Sequence, residues 1–334
     1  MTDLQLGLLA IGALVVAGVL AYNRLQERAA RRAERAFRSG HADVLLEKAR
    51  PGAEPAMPEA QRAAAREAPP PAPALPDPRL DYVVALEFSG PVPAGTVLEH
   101  WKAHAHLYAR RAILAGTVDG TTWRALAADH GGTVRGLRAG IQMVTREGAA
   151  SEAELIEFRA AAESLAAATG ARVEAPEMKQ AVEAARELDR FCADADIQVV
   201  FHVVPPPGGT FAGARVHALA EASGMVPGDD DGFALFDADG RVLFTLAAHE
   251  GSHEELSLVL DVPRAPDTRR SFLSMAGFAQ QLSAALGGSL VDDNGNPLEE
   301  RALAAIAAQL DAVRGTFDAR GFAPGGAEAL RLFS

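Results

Sequence analysis

An internal repeat limits the folds that this sequence can adopt. The strand-like segment DYVVALEF, which starts at Asp81, matches DIQVVFHV, which starts at Asp196. The turn-containing segment VDGTTWRAL at Val118 matches ADGRVLFTL at Ala238. These two offsets are 115 and 120 residues, and two further pairs of segments fall between them. A narrow offset of this size predicts two copies of one domain.

Each copy shows the same order of predicted elements: a strand, a helix, a hairpin, a strand, a helix, a short strand and a helix. The dipeptides Asp119-Gly120 and Asp239-Gly240 predict the two hairpin turns. In the second copy, LSLVLDV from Leu256 alternates apolar and smaller residues, which indicates a strand with one buried face. The order predicts the α+β class, with two tandem split β-α-β domains whose antiparallel sheets carry helices on one face.

Capping signals mark where several helices begin and end. Ser151 and Glu154 form a capping-box pattern, and Asp267 is a candidate N-cap. Gly287 is a candidate helix terminator because glycine accepts the left-handed C′ conformation. Asn296, followed by proline, predicts the start of the last long helix.

An uncharged run at the N-terminus predicts a transmembrane anchor at residues 1–23. The 20 residues from Leu4 to Asn23 would make a helix of roughly 30 Å, which matches a bilayer core. Six arginines follow between positions 24 and 38, so the positive-inside rule places the N-terminus outside and the rest in the cytoplasm. A buried core helix is the alternative. The apolar positions expected in the membrane include Leu4, Leu9, Ile11, Val15, Val19 and Tyr22.

The remaining boundaries follow from composition. Residues 24–50 read as a basic juxtamembrane helix, either simply solvated or attracted to anionic lipids. Residues 51–79 are a Pro/Ala-rich linker, which could extend over about 90 Å. The first repeat then covers 80–194, the second 195–318, and a C-terminal tail 319–334.

Composition and motifs argue against several classes of function. A net charge of −12 disfavours a nucleic-acid partner. The single cysteine, Cys192, excludes an internal disulfide and sits in an apolar helical pattern, which favours core packing. No catalytic motif is present, so we expect no enzyme, no cofactor and no small-molecule substrate. His100 and His104 are one helical turn apart and His106 is nearby, but an ordinary amphipathic helix explains them better than a metal site.

The sheet of the second copy has one face that the helices leave open. The positions expected to face the helices are Val199, Phe201, Phe244, Leu246, Leu258 and Leu260. The positions expected on the open face are Gln198, Val200, His202, Leu243, Thr245, Ala247, Ser257, Val259 and Asp261. This mixture of small, apolar and polar residues fits either a shallow peptide groove or a plain solvated sheet face.

Three segments of the second copy carry a resemblance to a known family. LFTLA at 243–247, LVLDVP at 258–263 and LGGSLVDD at 286–293, together with the anchor and linker, resemble the ZipA family of membrane anchors for the bacterial division protein FtsZ. The resemblance implies a single-pass protein of the bacterial inner membrane, with a periplasmic N-terminus, whose cytoplasmic domain binds the C-terminal tail of FtsZ. Carried over by position, the contacts would be Gln198, Val200, His202, Thr245, Ala247, His249, Ser257, Val259 and Asp261.

The first copy is a less obvious peptide binder. Its equivalent open face would carry Val83, Ala85, Glu87, Trp123, Ala125, Arg138, Gly140 and Gln142, which suggests a degenerate copy. Two other functions are compatible with the sequence. One is a membrane-anchored scaffold for another division or envelope protein. The other is an enzyme or ligand sensor that uses the cleft between the two copies.

Overall fold

The first half of the described chain folds around a five-stranded antiparallel sheet. Its elements are β1 (Asp81–Pro93), α1 (Ala94–Tyr108), β2 (Ala112–Thr117), β3 (Trp123–Ala125), β4 (Thr133–Gln142), β5 (Val144–Thr145), β6 (Gly148–Ala149), α2 (Glu152–Thr169), β7 (Arg172–Glu174) and α3 (Met178–Ala195). The spatial order of the sheet is β3-β2-β4-β1-β7, and strands β5 and β6 form a separate two-stranded ribbon.

The second half folds around a six-stranded antiparallel sheet. Its elements are β8 (Gln198–Val204), α4 (Gly213–Ala222), β9 (Val226–Pro227), β10 (Phe233–Phe236), β11 (Val242–Ala248), β12 (Leu256–Asp261), α5 (Thr268–Leu286), β13 (Ser289–Val291), α6 (Glu300–Ala319) and α7 (Ala327–Leu332). The spatial order of this sheet is β13-β8-β12-β11-β10-β9. The predicted mixture of helices and antiparallel sheets is therefore confirmed.

These observations come from a computed structural model that describes residues 74–108, 111–126, 131–228, 232–248 and 255–334. The described residues all belong to one compact unit, residues 57–334. The predicted anchor at 1–23, the basic segment at 24–50 and the linker up to residue 73 lie outside the described residues. Among the described helices, none is long and apolar enough to cross a membrane.

The two halves share an order of elements along the chain but differ in the order of strands in space. Both predicted hairpins are confirmed, with β2 pairing β3 and β10 pairing β11. In the first sheet, β4 pairs with the first strand of its hairpin, β2. In the second sheet, β12 pairs with the second strand of its hairpin, β11. The extra strand β9 pairs with β10, so β9 to β12 follow one another as a meander that has no counterpart in the first half.

Most of the capping signals are confirmed, and one is wrong. Ser151 and Glu154 form the capping box of α2, and the Asp267 side chain accepts from the backbone N–H of Arg270 at the start of α5. Gly287 ends α5 in the left-handed region, with φ 70°. The last long helix does not begin at Asn296.

The correct start of α6 is Glu300. The Asp292 carboxylate accepts hydrogen bonds from the backbone N–H of Asn296 at 2.8 Å and from its side-chain amide at 3.0 Å. The backbone N–H of Leu298 donates to the carbonyl of Leu290 at 3.0 Å. These bonds hold the segment in a turn and an extended pairing, which delays the helix.

The C-terminal residues complete the core of the first half. Phe317, Phe322 and Phe333 are buried in the same cluster as the β1, α2 and α3 side chains. Arg331 pairs with the fully buried carboxylate of Asp81, with 2.5 Å between Nη2 and Oδ1. The segment predicted as a tail at 319–334 thus carries a helix, α7, and packs against the first sheet unit.

The single thiol of the chain is shielded within α3. Burial, assisted by nearby Asp189 and Asp196, raises the pKa of Cys192 to about 12 from its ordinary value of 9.0. A thiolate is the nucleophile in alkylation, and each pKa unit is a tenfold change in its population. At pH 8 we therefore expect iodoacetamide to modify the native protein at least about a hundredfold more slowly than the urea-unfolded protein. Equal rates, followed by mass spectrometry, would contradict a buried position for this thiol.

Candidate functional site: the open face of the second sheet

Alternation along β8, β11 and β12 separates a buried face from an accessible one. Phe201, Phe244, Leu246, Leu258 and Leu260 are at most 1% exposed and lie in the core with α5. The alternate side chains, from Gln198 to Asp261, are half-buried or exposed, apart from Leu243. The prediction is wrong for Leu243, which lies in the core because the register between β10 and β11 shifts beside it. For the other positions of these three strands, the predicted division into a helix-covered face and an open face is confirmed.

Strand register brings the predicted contact residues into neighbouring rows on the open face. Val259 lies opposite Val200 on one side and Thr245 on the other. Ser257 lies opposite His202 and Ala247, and Asp261 lies opposite Gln198. Since adjacent strands are about 4.8 Å apart, each three-strand row is roughly 10 Å wide. His249, the ninth predicted contact, lies outside the described residues.

The central row is uncharged and partly apolar. Val200, Val259 and Thr245 are each half-buried, so their methyl groups form an accessible surface over a rigid core. Covering the apolar area of such a surface with a ligand is favourable in free energy, and the ligand needs no charge. The arrangement can hold an apolar side chain of a peptide but has no chemistry for bond making.

His202 closes one end of this surface with a polar cluster. Its Nδ1 lies 2.6 Å from Glu255 Oε1 and 3.1 Å from Ser257 Oγ, and its Nε2 lies 2.8 Å from Asp293 Oδ1. A neutral imidazole has one N–H, whereas the protonated ring can donate to both carboxylates. The ring is held between β8, β12 and the turn after β13, which restricts its orientation.

Sequence reasoning missed Glu255 and Asp293 as members of this cluster. The sequence shows the segment LGGSLVDD at 286–293, which ends at Asp293. It does not show that β13 pairs with β8, which places Val291 opposite His202 and brings Asp293 near the ring. Glu255 directly precedes β12, but it follows residues 249–254, which lie outside the described residues.

Asp261, at the other end of the surface, is already engaged by a residue of the first half. Arg146 Nη1 lies 2.9 Å from Asp261 Oδ2, and Arg146 Nη2 lies 2.7 Å from Asp196 Oδ1. Hydrogen bonding to Asp261, then to Asp196, raises the pKa of Arg146. The same guanidinium lies over the Phe333 ring at 5.8 Å. Asp261 therefore frames the surface instead of presenting a free charge to a ligand.

The histidines of α1 form no metal site with other described residues. The rings of His100 and His104 are 6.0 Å apart, and His100 Nε2 lies 3.3 Å from Ser164 Oγ. His104 Nδ1 is buried without a hydrogen-bond partner. Within the described ranges, no group of three or more His, Cys, Asp or Glu side chains could hold a metal ion. The side chain of His106 lies outside the described residues.

Comparison with known families finds a similarity in the second sheet unit. Residues 197–309, which contain every strand of the open face, match the family described as ZipA, C-terminal FtsZ-binding domain. This segment is therefore similar to ZipA C-terminal domains, and we call residues 197–309 the ZipA domain. The ZipA domain begins at the entry to β8 and ends within α6, so it excludes the first sheet and the C-terminal residues that pack against that sheet.

The match assigns the ZipA domain to FtsZ binding in cell division. The family is one of binding domains and not of enzymes. A comparison with curated proteins gives no match.

Proposed function

We propose that this protein tethers FtsZ to the bacterial inner membrane by binding the C-terminal tail of FtsZ on the open face of the ZipA domain. The observation that carries the proposal is the coincidence of two findings. Residues 197–309 match an FtsZ-binding domain, and the accessible face of the sheet within that match is a shallow, largely uncharged surface. A tail that binds there needs apolar contacts and shape more than ion pairs.

The central row of the surface is the proposed anchor point. Val200, Val259 and Thr245 would cover an apolar side chain of the tail, and burying one such side chain is worth about 1.5–3 kcal/mol. Gln198 and Ala247, which are exposed at the margins, would flank the peptide. His202 and Ser257 would mark the polar end of the site.

Membrane attachment is the second half of the proposal. The uncharged run from Leu4 to Asn23 is long enough to span a bilayer, and the arginines after it favour a cytoplasmic position for the ZipA domain. The proline-rich residues from 51 onward would separate the domain from the membrane. Because FtsZ filaments present many tails and the membrane presents many anchors, weak single contacts would add up to firm attachment.

A vesicle recruitment assay tests both halves together. The full chain is reconstituted into liposomes, and fluorescent FtsZ is added with or without its C-terminal tail. We expect intact FtsZ to sediment with the vesicles and tail-less FtsZ to remain in the supernatant. A chain that begins at residue 24 is the control, because it keeps the ZipA domain but lacks the proposed anchor. Equal recruitment of tail-less FtsZ would contradict the binding mode, and equal recruitment by the shortened chain would contradict the anchor.

A further inference from the structure

The open face of the first sheet contains a groove of about 600 Å³ that the FtsZ site does not use. Its floor is made of small residues, including Ala85 on β1 and Gly136 on β4. A Cβ atom at Gly136 would lie 3.0 Å from Thr117 Cγ2 and 3.5 Å from the Trp123 ring. Glycine at this position therefore lets the indole of Trp123 lie close over the sheet and form one wall of the groove.

Three exposed arginines, Arg135, Arg138 and Arg172, line the same groove. We call this site, with Trp123 and the floor of small residues, the arginine groove. The guanidinium of Arg138 lies 4.1 Å from the centre of the Trp123 ring. This stacking holds the guanidinium plane and leaves its N–H edge available. A planar, pre-oriented fork of donors is suited to a carboxylate.

The arginines of the groove are not neutralised by the ion pairs found among the described residues. None of those pairs includes Arg135, Arg138 or Arg172. Glu87 and Glu174 also line the groove, but neither forms one of these pairs. Three guanidinium groups thus line the groove together with three carboxylates, those of Glu87, Asp119 and Glu174.

The third acidic residue of the groove, Asp119, is occupied by its own turn. Its carboxylate accepts from the backbone N–H groups of Thr121 at 2.8 Å and Thr122 at 2.7 Å, and from Thr122 Oγ1 at 2.9 Å. These hydrogen bonds lower the pKa of Asp119, and the backbone N–H groups of Thr122 and Thr121 have the largest effect. Its hydrogen-bonding capacity is used within the turn, so it does not compete strongly for the arginines.

We propose that the arginine groove binds an extended acidic peptide segment of a partner protein, one carboxylate of which is received by Arg138. An aliphatic side chain two residues away, on the same face of the extended peptide as that carboxylate, would pack on Trp123 and Ala85. Arg135 and Arg172 would attract further acidic residues. The first sheet would then be a second recognition surface, with a ligand chemistry different from the uncharged surface of the ZipA domain. Sequence analysis suggested a degenerate copy here, because alternation alone does not show that Arg138 stacks on Trp123 and lines a groove.

The test is a binding titration of the full chain with a fluorescein-labelled eight-residue peptide of the sequence Asp-Ser-Leu-Ser-Asp-Ser-Leu-Ser, which presents Asp and Leu on one face when extended. The same peptide with Lys in place of Asp serves as the control ligand. We expect saturable binding of the acidic peptide, weakened by added salt. Arg138→Glu should weaken it by about tenfold or more, since hydrogen bonds to charged groups are of that strength. Arg138→Lys should cause a smaller loss, because it keeps the charge without the planar fork.

Matched variants separate this proposal from the proposed function. Arg186→Glu makes the same charge change at an exposed position on α3 and should leave binding unchanged. Val259→Asp changes the ZipA domain and should also leave it unchanged. No saturable binding, equal binding of the Lys peptide, or an Arg138→Glu effect no larger than that of Arg186→Glu would overturn the proposal. A loss of self-association in Arg138→Glu without a loss of peptide binding would overturn it in favour of a second copy of the chain as the occupant.

Discussion

Replacing Phe317 by alanine is expected to lower the free energy of unfolding by about 3–5 kcal/mol, the usual cost of removing a buried phenylalanine. Phe317 is completely buried near the end of α6. Its ring lies 5.3 Å from Phe191 in an edge-to-face arrangement and 5.9 Å from Phe333. The substitution would therefore leave a cavity between α3 of the first half and the C-terminal helices. Urea unfolding of the full chain, followed by tryptophan fluorescence, gives the measurement.

Leu330→Ala is the matched control for this cavity. Leu330 lies in the same C-terminal region, but it is 37% exposed, so its truncation should change stability by less than about 1 kcal/mol. Trp101 is buried in the same core as Phe317, so the fluorescence of Trp101 should report the loss of stability in Phe317→Ala. A Phe317→Ala effect as small as that of Leu330→Ala would contradict the shared core.

Val259→Asp is expected to weaken binding of the FtsZ C-terminal tail by about a hundredfold, which corresponds to about 2.7 kcal/mol. Val259 lies at the centre of the open face between Val200 and Thr245. A carboxylate there would be covered by the bound peptide without a partner, and desolvating an unpaired charge is costly. Fluorescence anisotropy with a labelled FtsZ tail peptide gives the change in Kd.

Leu273→Asp is the matched control for the binding prediction. Leu273 is 54% exposed and lies on α5, the helix that covers the opposite face of the sheet. It should leave the affinity for the tail within about threefold of the unmodified protein. Circular dichroism and thermal unfolding of both variants exclude loss of the fold as the cause. Unchanged affinity in Val259→Asp would remove the central row from the site.

Local signals in the sequence predicted much of the ZipA domain. The alternation of apolar residues along β12 is a property of neighbouring residues, so it was sufficient to place Val259 and Leu258 on opposite faces. The hairpin at Asp239-Gly240 and the cap at Asp267 likewise depend on a few adjacent residues. These features are visible without knowledge of the remainder of the chain.

Long-range features could not be read from the same patterns. Strand β9 has two residues, Val226 and Pro227, which is too short to show a period, yet it is the first strand of the meander that distinguishes the second sheet from the first. The contact of Arg146 with Asp261 joins residues 115 positions apart. Residues 317–333 looked like the end of a helix and a tail, because their buried partners lie at the other end of the described chain. Sequence alternation indicates which side chains need burial but not which distant surface buries them.

The claim that FtsZ is bound on the open face of the ZipA domain is tested most directly by chemical-shift mapping. The measurement is a titration of unlabelled FtsZ tail peptide into the isotope-labelled chain. The largest shifts should fall on the central strands, at Val200, Thr245 and Val259, with smaller ones at His202 and Ser257. Shifts concentrated instead on β1 and β4 of the first sheet, or the absence of saturable shifts on β8, β11 and β12, would contradict the account.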